Sequence, residues 1–335
     1  MRRLLAVLVA FAAIAAHADV IVVANRGGTV ATIIDPVTMT VLGQPDAGPQ
    51  PHEVAGSANG RLAYISNYAN GTGTTLSVID LQSRTKVKEM SLLNLQGFSI
   101  SLLRAPHGLA ERNGKIYFTA EGSAAVARYD PAADRIDWIG KTNQSITHML
   151  AVKRDASTVY AVNILSNTVS VVPVSGNESV ARKQIAVINS PEGIALSPDE
   201  RELWVGSSKT GGIGIIDTAT EEMVAAISPG EFAYRITFTP DGKYVLVPRA
   251  NAVIVYDVAS RTQLRSIDAE GTVLSIIAPD EKTAYVSTGN PDRVTKLDLT
   301  TFTFGAFAAA SPLPDGMAYI RTPTTGPKRR AVVHM

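Results

Sequence analysis

Three short motifs of the chain carry a histidine in a similar setting. His52 stands in PHE, His107 in PHG and His148 in THM, and these are three of the five histidines in the sequence. An imidazole titrates near neutral pH, so these residues could bind an anion or transfer a proton. Together they could instead hold a metal such as zinc or copper. A structural interpretation also stands, in which each histidine fills the start of a strand and bonds a neighbouring carbonyl.

The elements that would position such residues are clearest in residues 191–227. Four short apolar runs are separated there by the turn-forming segments SPD, KTGG and DTAT. Pro, Gly and Asp favour tight turns, and short apolar runs between them are typical of β-strands. The segment therefore predicts a small antiparallel sheet of four strands. One such sheet cannot bury both of its faces, so it needs similar neighbours.

The same unit recurs along the chain. Its predicted third strand ends in an aspartate, except where Pro173 takes that place. The aspartates are Asp35, Asp80, Asp130, Asp217, Asp257 and Asp298. A period of about 40–45 residues with four strands per unit is typical of β-propeller blades.

The two ends of the repeat complete each other. Val20 starts in a second-strand pattern, whereas residues 314–320 form a first strand with no blade behind them. Joining them gives one more blade and leaves no blade open. The predicted fold is therefore all-β: a seven-bladed β-propeller of four-stranded antiparallel blades, closed by a C-terminal inner strand that joins the N-terminal blade.

Composition defines the predicted domains and compartment. Residues 1–18 carry two arginines, a short apolar run and an Ala-His-Ala cleavage pattern, which predict a signal peptide and no membrane span after its cleavage. The propeller then occupies residues 19–320 and a tail residues 321–335. We expect a periplasmic or secreted protein, and a monomer. The chain has no cysteine, so thiolate ligation is excluded.

The repeats resemble the YVTN family of β-propellers. YISN at residues 64–67, YAVN at residues 160–163 and the strand ends SVID and GIID carry the resemblance, which spans residues 20–320. It implies an exported propeller. That family includes members of unknown role and a periplasmic member that binds DNA. Related propellers serve as lactonases, as quinoprotein dehydrogenase subunits and as the copper-cluster domain of nitrous oxide reductase.

In such a fold, the starts of the first strands surround one mouth of the central channel, and the ends of the second strands reach the same rim. The first set supplies His52, His107, His148, Glu192, Arg235 and Asp315, and the second supplies Asn67, Tyr68, Glu121, Asn163 and Arg249. These eleven residues are the predicted ligand-binding site. His52, His107 and His148 are also the predicted ligands of a divalent metal, and no catalytic residue is assigned. Carboxylate and amide oxygens of the rim could alternatively hold calcium.

The first hypothesis for function is a binding module whose channel mouth takes a small molecule, a metal or a periplasmic protein partner. An enzyme of lactonase or quinoprotein-associated type, with its site at the same mouth, is the alternative. DNA binding follows from the resemblance alone. The net charge of +1 and the lack of an aromatic and basic stripe argue against a nucleic-acid partner.

One insertion interrupts the even repeat. Residues 91–103, SLLNLQGFSISLL, join the predicted second and third blades and are rich in apolar side chains. We expect this insertion to lie over the channel mouth, because the connection leaves a fourth strand and enters a first strand at that rim.

Overall fold

The alternation of apolar and polar residues produces seven sheets, which pack side by side around one axis. The computed structural model describes residues 19–227 and 232–322. Within these ranges the regular elements are 29 strands and two short 3-10 turns, Ala69–Gly71 and Glu121–Ser123. The predicted all-β, seven-bladed propeller is confirmed. The predicted signal peptide lies outside the described residues, as does the tail from residue 323 onward.

Six sheets have four strands and one has five, and we number the blades 1 to 7 from the N-terminal end. In blade order, the inner strands are β29 (Pro314–Ile320), β4 (Pro51–Gly56), β8 (Pro106–Arg112), β12 (Thr147–Val152), β17 (Pro191–Leu196), β21 (Thr237–Phe238) and β25 (Thr272–Ile277). The second strands are β1 (Val20–Asn25), β5 (Leu62–Asn67), β9 (Lys115–Ala120), β13 (Thr158–Asn163), β18 (Glu202–Ser207), β22 (Tyr244–Arg249) and β26 (Thr283–Gly289).

The third strands are β2 (Ala31–Asp35), β6 (Thr75–Asp80), β10 (Ala125–Asp130), β14 (Thr168–Pro173), β19 (Ile213–Asp217), β23 (Ala252–Asp257) and β27 (Arg293–Asp298). The outer strands are β3 (Thr40–Gly43), β7 (Thr85–Ser91), β11 (Arg135–Lys141), β16 (Lys183–Ala186), β20 (Glu222–Ile227), β24 (Thr262–Asp268) and β28 (Thr303–Ala309). The fifth strand of blade 3 is β15 (Glu178–Val180).

The aspartates that mark the repeat close the turns between third and outer strands. Oδ1 of Asp80 accepts hydrogen bonds from the backbone N–H groups of Gln82 and Ser83, at 3.0 and 2.9 Å. Asp217 and Asp298 make the same pair of bonds in their own blades. An Asx turn of this kind satisfies backbone donors that the sheet leaves unpaired, so the recurring aspartate has a structural cause.

Blade 4 departs from the pattern where Pro173 replaces the aspartate. The chain leaves the blade after β14, and β15 pairs in parallel with β11 of blade 3 before β16 returns as the outer strand. This excursion adds a fifth strand to blade 3, which covers the outer edge of that sheet.

The ring is closed by the two ends of the chain, as predicted. β29 pairs antiparallel with β1, for example Ile21 with Tyr319 and Val22 with Ala318. Beyond the sheet, Asp19 accepts hydrogen bonds from the hydroxyl of Tyr319 and the N–H of Thr322, each at 3.0 Å. Blade 1 is therefore assembled from residues at both ends of the described chain.

The core lies between neighbouring blades. Trp204 is fully buried in a cluster with residues of blade 6, including Val245 and Tyr256. Trp138 is likewise fully buried, in a cluster with Leu150 and Val172 of blade 4. Both tryptophans thus pack between blades. Aromatic side chains bury the largest apolar areas, so these contacts contribute strongly to blade docking.

No helix in residues 19–227 and 232–322 is long and apolar enough to span a membrane.

Candidate functional site

Each of the seven blades contributes a residue at or near the start of its inner strand to a single cavity of about 420 Å³ at the channel mouth. These residues are His52, His107, His148, Glu192, Arg235, Leu274 and Asp315. Their convergence follows from the ring, because the inner strands of neighbouring blades contact one another around the axis. The structure thus brings together the six first-strand residues predicted as a site. Ligand binding by them stays a prediction.

A break in strand register lets two consecutive side chains of β4 enter the channel region. Pro51 pairs with Asn67 but Val54 pairs with Ile65, so the regular ladder is interrupted at His52 and Glu53. Both residues are buried, at 5% and 6% exposure. Strict alternation would place their side chains on opposite faces of the strand. Glu53 was therefore missed by the sequence analysis.

Glycine follows the ring residue in several other blades because neighbouring inner strands approach closely there. A Cβ atom on Gly316 would overlap the carbonyl oxygen of His52 and lie 2.5 Å from Oε2 of Glu53. A comparison of the repeats could have identified Glu53, because a glutamate stands in PHE at the position that is glycine in PHG, PEG and PDG.

The histidines of blades 2, 3 and 4 pack against one another and against Tyr68. The ring centroids of His107 and His148 are 3.8 Å apart, those of His52 and His107 4.9 Å, and those of His52 and Tyr68 4.6 Å. Nδ1 of His52 lies 2.9 Å from the carbonyl oxygen of Gln50, so it donates in the neutral tautomer. The three imidazoles form one contiguous wall of the cavity.

The histidines differ in charge because their surroundings differ. Burial holds the pKa of His52 below its usual value, and burial together with His148 holds the pKa of His107 well below it. Nδ1 of His107 is buried and has no hydrogen-bond partner among the described residues. His107 is therefore a neutral imidazole that still has hydrogen-bonding capacity to offer.

His148 carries the opposite charge state. Its Nδ1 is 3.3 Å from Oε2 of Glu121 and its Nε2 is 3.6 Å from Oε1 of Glu192. Burial alone would lower the pKa of His148, but the two carboxylates outweigh burial and raise the pKa to about 9. At neutral pH the cavity wall thus contains an imidazolium stacked on a neutral imidazole. Glu121 is held on its other side by the hydroxyl of Tyr68 at 3.3 Å.

Arg235 and Arg26 form another ionic network, across the cavity from the histidines. Nη2 of Arg235 is 2.9 Å from Oδ1 of Asp315 and 2.5 Å from Oε1 of Glu53, and Nε of Arg26 is 3.3 Å from Oδ2 of Asp315. Burial opposes the charge of Arg235, but the two carboxylates raise its pKa above the usual value. Burial raises the pKa of Glu53, and Arg235 opposes that rise.

The second-strand residues divide into two groups. Tyr68 lines the cavity and Glu121 contacts it through His148, whereas Asn67, Asn163 and Arg249 do not line it. Nδ2 of Asn67 bonds the hydroxyls of Thr75 and Ser77, and Nδ2 of Asn163 bonds those of Thr168 and Ser170. These asparagines hold the third strand to the second. In blades 1, 2 and 5 the residue that follows the second strand lines the cavity instead, and these residues are Arg26, Tyr68 and Ser208.

The geometry does not favour the metal alternative. Among residues 19–227 and 232–322, no group of three or more His, Cys, Asp or Glu side chains is placed to hold a metal ion. The ring of His107 packs on that of His148 and meets that of His52 edge to face. Both nitrogens of His148 face carboxylates. A metal ligand needs a free nitrogen lone pair, which an imidazolium lacks.

The predicted lid over the channel mouth is wrong. Leu92 and Leu103 of the insertion are fully buried, and its Leu95, Phe98 and Ile100 pack against the core cluster shared by blades 2 and 3. The hydroxyl of Ser99 bonds Glu178, and Nδ2 of Asn177 bonds the carbonyl of Gly97 at 3.1 Å. No insertion residue lines the channel-mouth cavity. Its apolar residues cover the outer part of two blades because that surface is apolar too.

Comparison with known proteins confirms the fold and leaves the ligand open. Residues 125–267 match a family model described as YNCE-like beta-propeller. No curated protein matched the chain.

Two solved structures are similar in fold. Hydrazine synthase of Kuenenia stuttgartiensis has a TM-score of 0.68 and 18% identity, over 82% of this chain and 90% of that one. A functionally unknown protein from Desulfotomaculum acetoxidans DSM 771 has a TM-score of 0.74 and 13% identity, over 90% of this chain and 99% of that one. At this identity the likeness concerns the fold alone. With its seven blades and its YNCE-like segment, the chain matches the YVTN-type seven-bladed β-propellers.

Proposed function

We propose that this propeller binds a small polar molecule in the cavity at its channel mouth. The observation that carries the proposal is the convergence of one residue from every blade on a cavity of about 420 Å³, a volume that suits a small ligand. Six of those seven residues are polar or charged. A polar lining of this kind would orient a ligand through hydrogen bonds.

The wall is pre-organised for binding. Arg235, Asp315 and Glu53 are each less than 15% exposed at the side chain and hold one another in ion pairs. The imidazoles of His107 and His148 are fixed by stacking. Side chains that are already ordered lose little conformational entropy when a ligand binds, so less of the interaction free energy is lost to ordering them.

A specific observation supports a second candidate, an enzyme acting at the same mouth. The neutral His107 and the imidazolium of His148 lie 3.8 Å apart between ring centroids, and the pKa values of the two are displaced in opposite directions. Two such groups could serve as base and acid toward a bound molecule. DNA binding gains no support at this mouth, because carboxylates from four residues surround the cavity.

We further propose that the protein is exported, with cleavage before Asp19. Support comes from the pattern of residues 1–18 and from the role of Asp19, which bonds Tyr319 and Thr322 at the closing blade. N-terminal sequencing of the mature protein tests this, and a chain that still begins at Met1 in the periplasm would contradict it.

The binding function is tested by ligand-observed NMR with a library of small polar molecules. The triple variant His52→Ala, His107→Ala, His148→Ala should lose the binding shown by the wild type. A control variant, Glu222→Gln on the exposed outer strand β20, should retain it. If the triple variant binds the same molecules with the same affinity, the ligand site lies elsewhere.

A further inference from the structure

The direct ion pairs around the cavity form two networks with different balances of charge. In the first, the two arginines Arg26 and Arg235 face the two carboxylates of Glu53 and Asp315. In the second, the single imidazolium of His148 faces two carboxylates, Glu121 and Glu192. The first network is balanced, and the second has one more negative charge than positive.

The excess negative charge is available at Glu192. Glu121 is 9% exposed at its side chain and is engaged by both His148 and the hydroxyl of Tyr68. Glu192 is 28% exposed, lines the cavity and lies farther from His148, at 3.6 Å. Glu192 is thus the carboxylate that a bound molecule can reach.

A second observation points to the same part of the wall. His107 is 4% exposed and lines the cavity, and its Nδ1 has no hydrogen-bond partner among the described residues. Its ring packs directly on that of His148, which forms an ion pair with Glu192. A neutral imidazole has one nitrogen that accepts a hydrogen bond, and a donor from a ligand would complete its bonding.

We infer that the cavity takes a small organic cation, whose ammonium group binds Glu192 while the rest of the molecule lies along the histidine and tyrosine wall. This inference rests on the proposed binding function. Charge-assisted hydrogen bonds to a partly buried carboxylate favour an ammonium. The aromatic faces of Tyr68 and the imidazoles favour a flat or apolar remainder.

The other classes of ligand fit less well. An anion finds no unpaired cation, since both arginines and His148 already face carboxylates. A proton on Glu53 would leave the contact between Glu192 and His148 unchanged, and it would strengthen the pull of Arg235 on Glu192 across the cavity. An inorganic cation needs several ligands, and no such group is present in residues 19–227 and 232–322.

The test uses three probes of matched shape and different charge: benzylamine, benzyl alcohol and benzoate. Dissociation constants are measured by NMR titration with the full mature chain at pH 7 and low salt. Benzylamine should bind at least ~10-fold more tightly than benzyl alcohol, and benzoate should bind most weakly. Added NaCl should weaken the binding of benzylamine and leave that of benzyl alcohol unchanged, because salt screens the charged contact.

Glu192→Gln should remove the preference for benzylamine, and the matched control Glu222→Gln should keep it. The salt experiment needs no variant, so the inference stays testable if Glu192→Gln fails to fold. Equal binding of all three probes, or tightest binding of benzoate, would overturn the cation while leaving the binding function in place. Absence of binding by all three probes and by the small-molecule library would overturn the binding function itself.

Discussion

The strongest prediction concerns the charge on His148. Its pKa is about 9 in the folded protein against 6.5 for an ordinary histidine, because Glu121 and Glu192 outweigh the cost of burial. At ~1.36 kcal/mol per pKa unit, this difference corresponds to about 3 kcal/mol of unfolding free energy, as an order of magnitude. The side chain is only 13% exposed, so solvent screens the two ion pairs weakly.

The pH window follows from the direction of the shift. The folded state binds the proton more tightly than the unfolded chain, so the stabilisation is fully present below pH 6.5. It is lost as the pH rises through about 9. Urea unfolding between pH 6.5 and 10 should therefore show a decline in stability. His148→Gln cannot titrate, so it should lose that part of the decline, and the difference between the two curves isolates His148.

The neighbouring His107 should act with the opposite sign. Its pKa is held well below the usual 6.5, mainly by burial, so its contribution is present above pH 6.5 and is lost as the pH falls below that value. NMR of the imidazole carbons can follow both residues in one titration. A His148 that titrates at or below 6.5, or an unchanged pH profile in His148→Gln, would refute the assignment of an imidazolium between two carboxylates.

Three further predictions concern the ring. Gly316→Ala should cost about 1–3 kcal/mol in urea unfolding, since the new Cβ would lie 2.5 Å from Oε2 of Glu53, whereas Gly305→Ala on an open strand should cost less than ~1 kcal/mol. Deleting residues 313–335 should destabilise all seven blades, and deleting residues 323–335 should change the melting temperature little; equal effects would mean that β29 does not close the ring. Replacing residues 94–100 by a short turn should lower stability by about 2–4 kcal/mol and leave ligand binding intact, and loss of binding would restore a role for the insertion at the channel mouth.

The fold could be predicted from the sequence because the same local rules repeat in every blade. Each Asp that ends a third strand makes its own turn, and each apolar run buries against the next blade, so the signals add along the chain. The ring of six predicted residues followed from the same repeat, since equivalent positions in a closed ring must meet at the axis. Long-range placement was thus a consequence of local regularity.

The structure adds what the regular repeat does not contain. The register break at Glu53, which no alternation pattern reveals, recurs in blades 1, 3, 4, 5 and 7, and blade 2 differs in having a glutamate where three of those blades have glycine. The insertion has apolar residues that fit either a lid or an outer covering, and only the packed surfaces of blades 2 and 3 decide between them. Asn67 and Asn163 are polar residues at a rim, but the side-chain amide of each donates to hydroxyl groups within its own sheet. Pro173 marked an irregular blade without indicating where β15 would pair.

The closing strand has a consequence for the order in which the protein is built. A ribosome makes β1 to β3 first, and their inner partner β29 appears only after the other six blades have been synthesised. Throughout that time the first three strands lack their axial neighbour. Asp315 lies on β29 and bonds both Arg26, beside β1, and Arg235.

Strand β29 thus carries Asp315, the carboxylate that links Arg26 of blade 1 to Arg235 of blade 6 near the axis. A nascent or prematurely terminated chain would have two arginines at an open mouth without this shared partner. If the proposed binding function holds, a chain that lacks β29 should lose ligand binding together with the closure of blade 1.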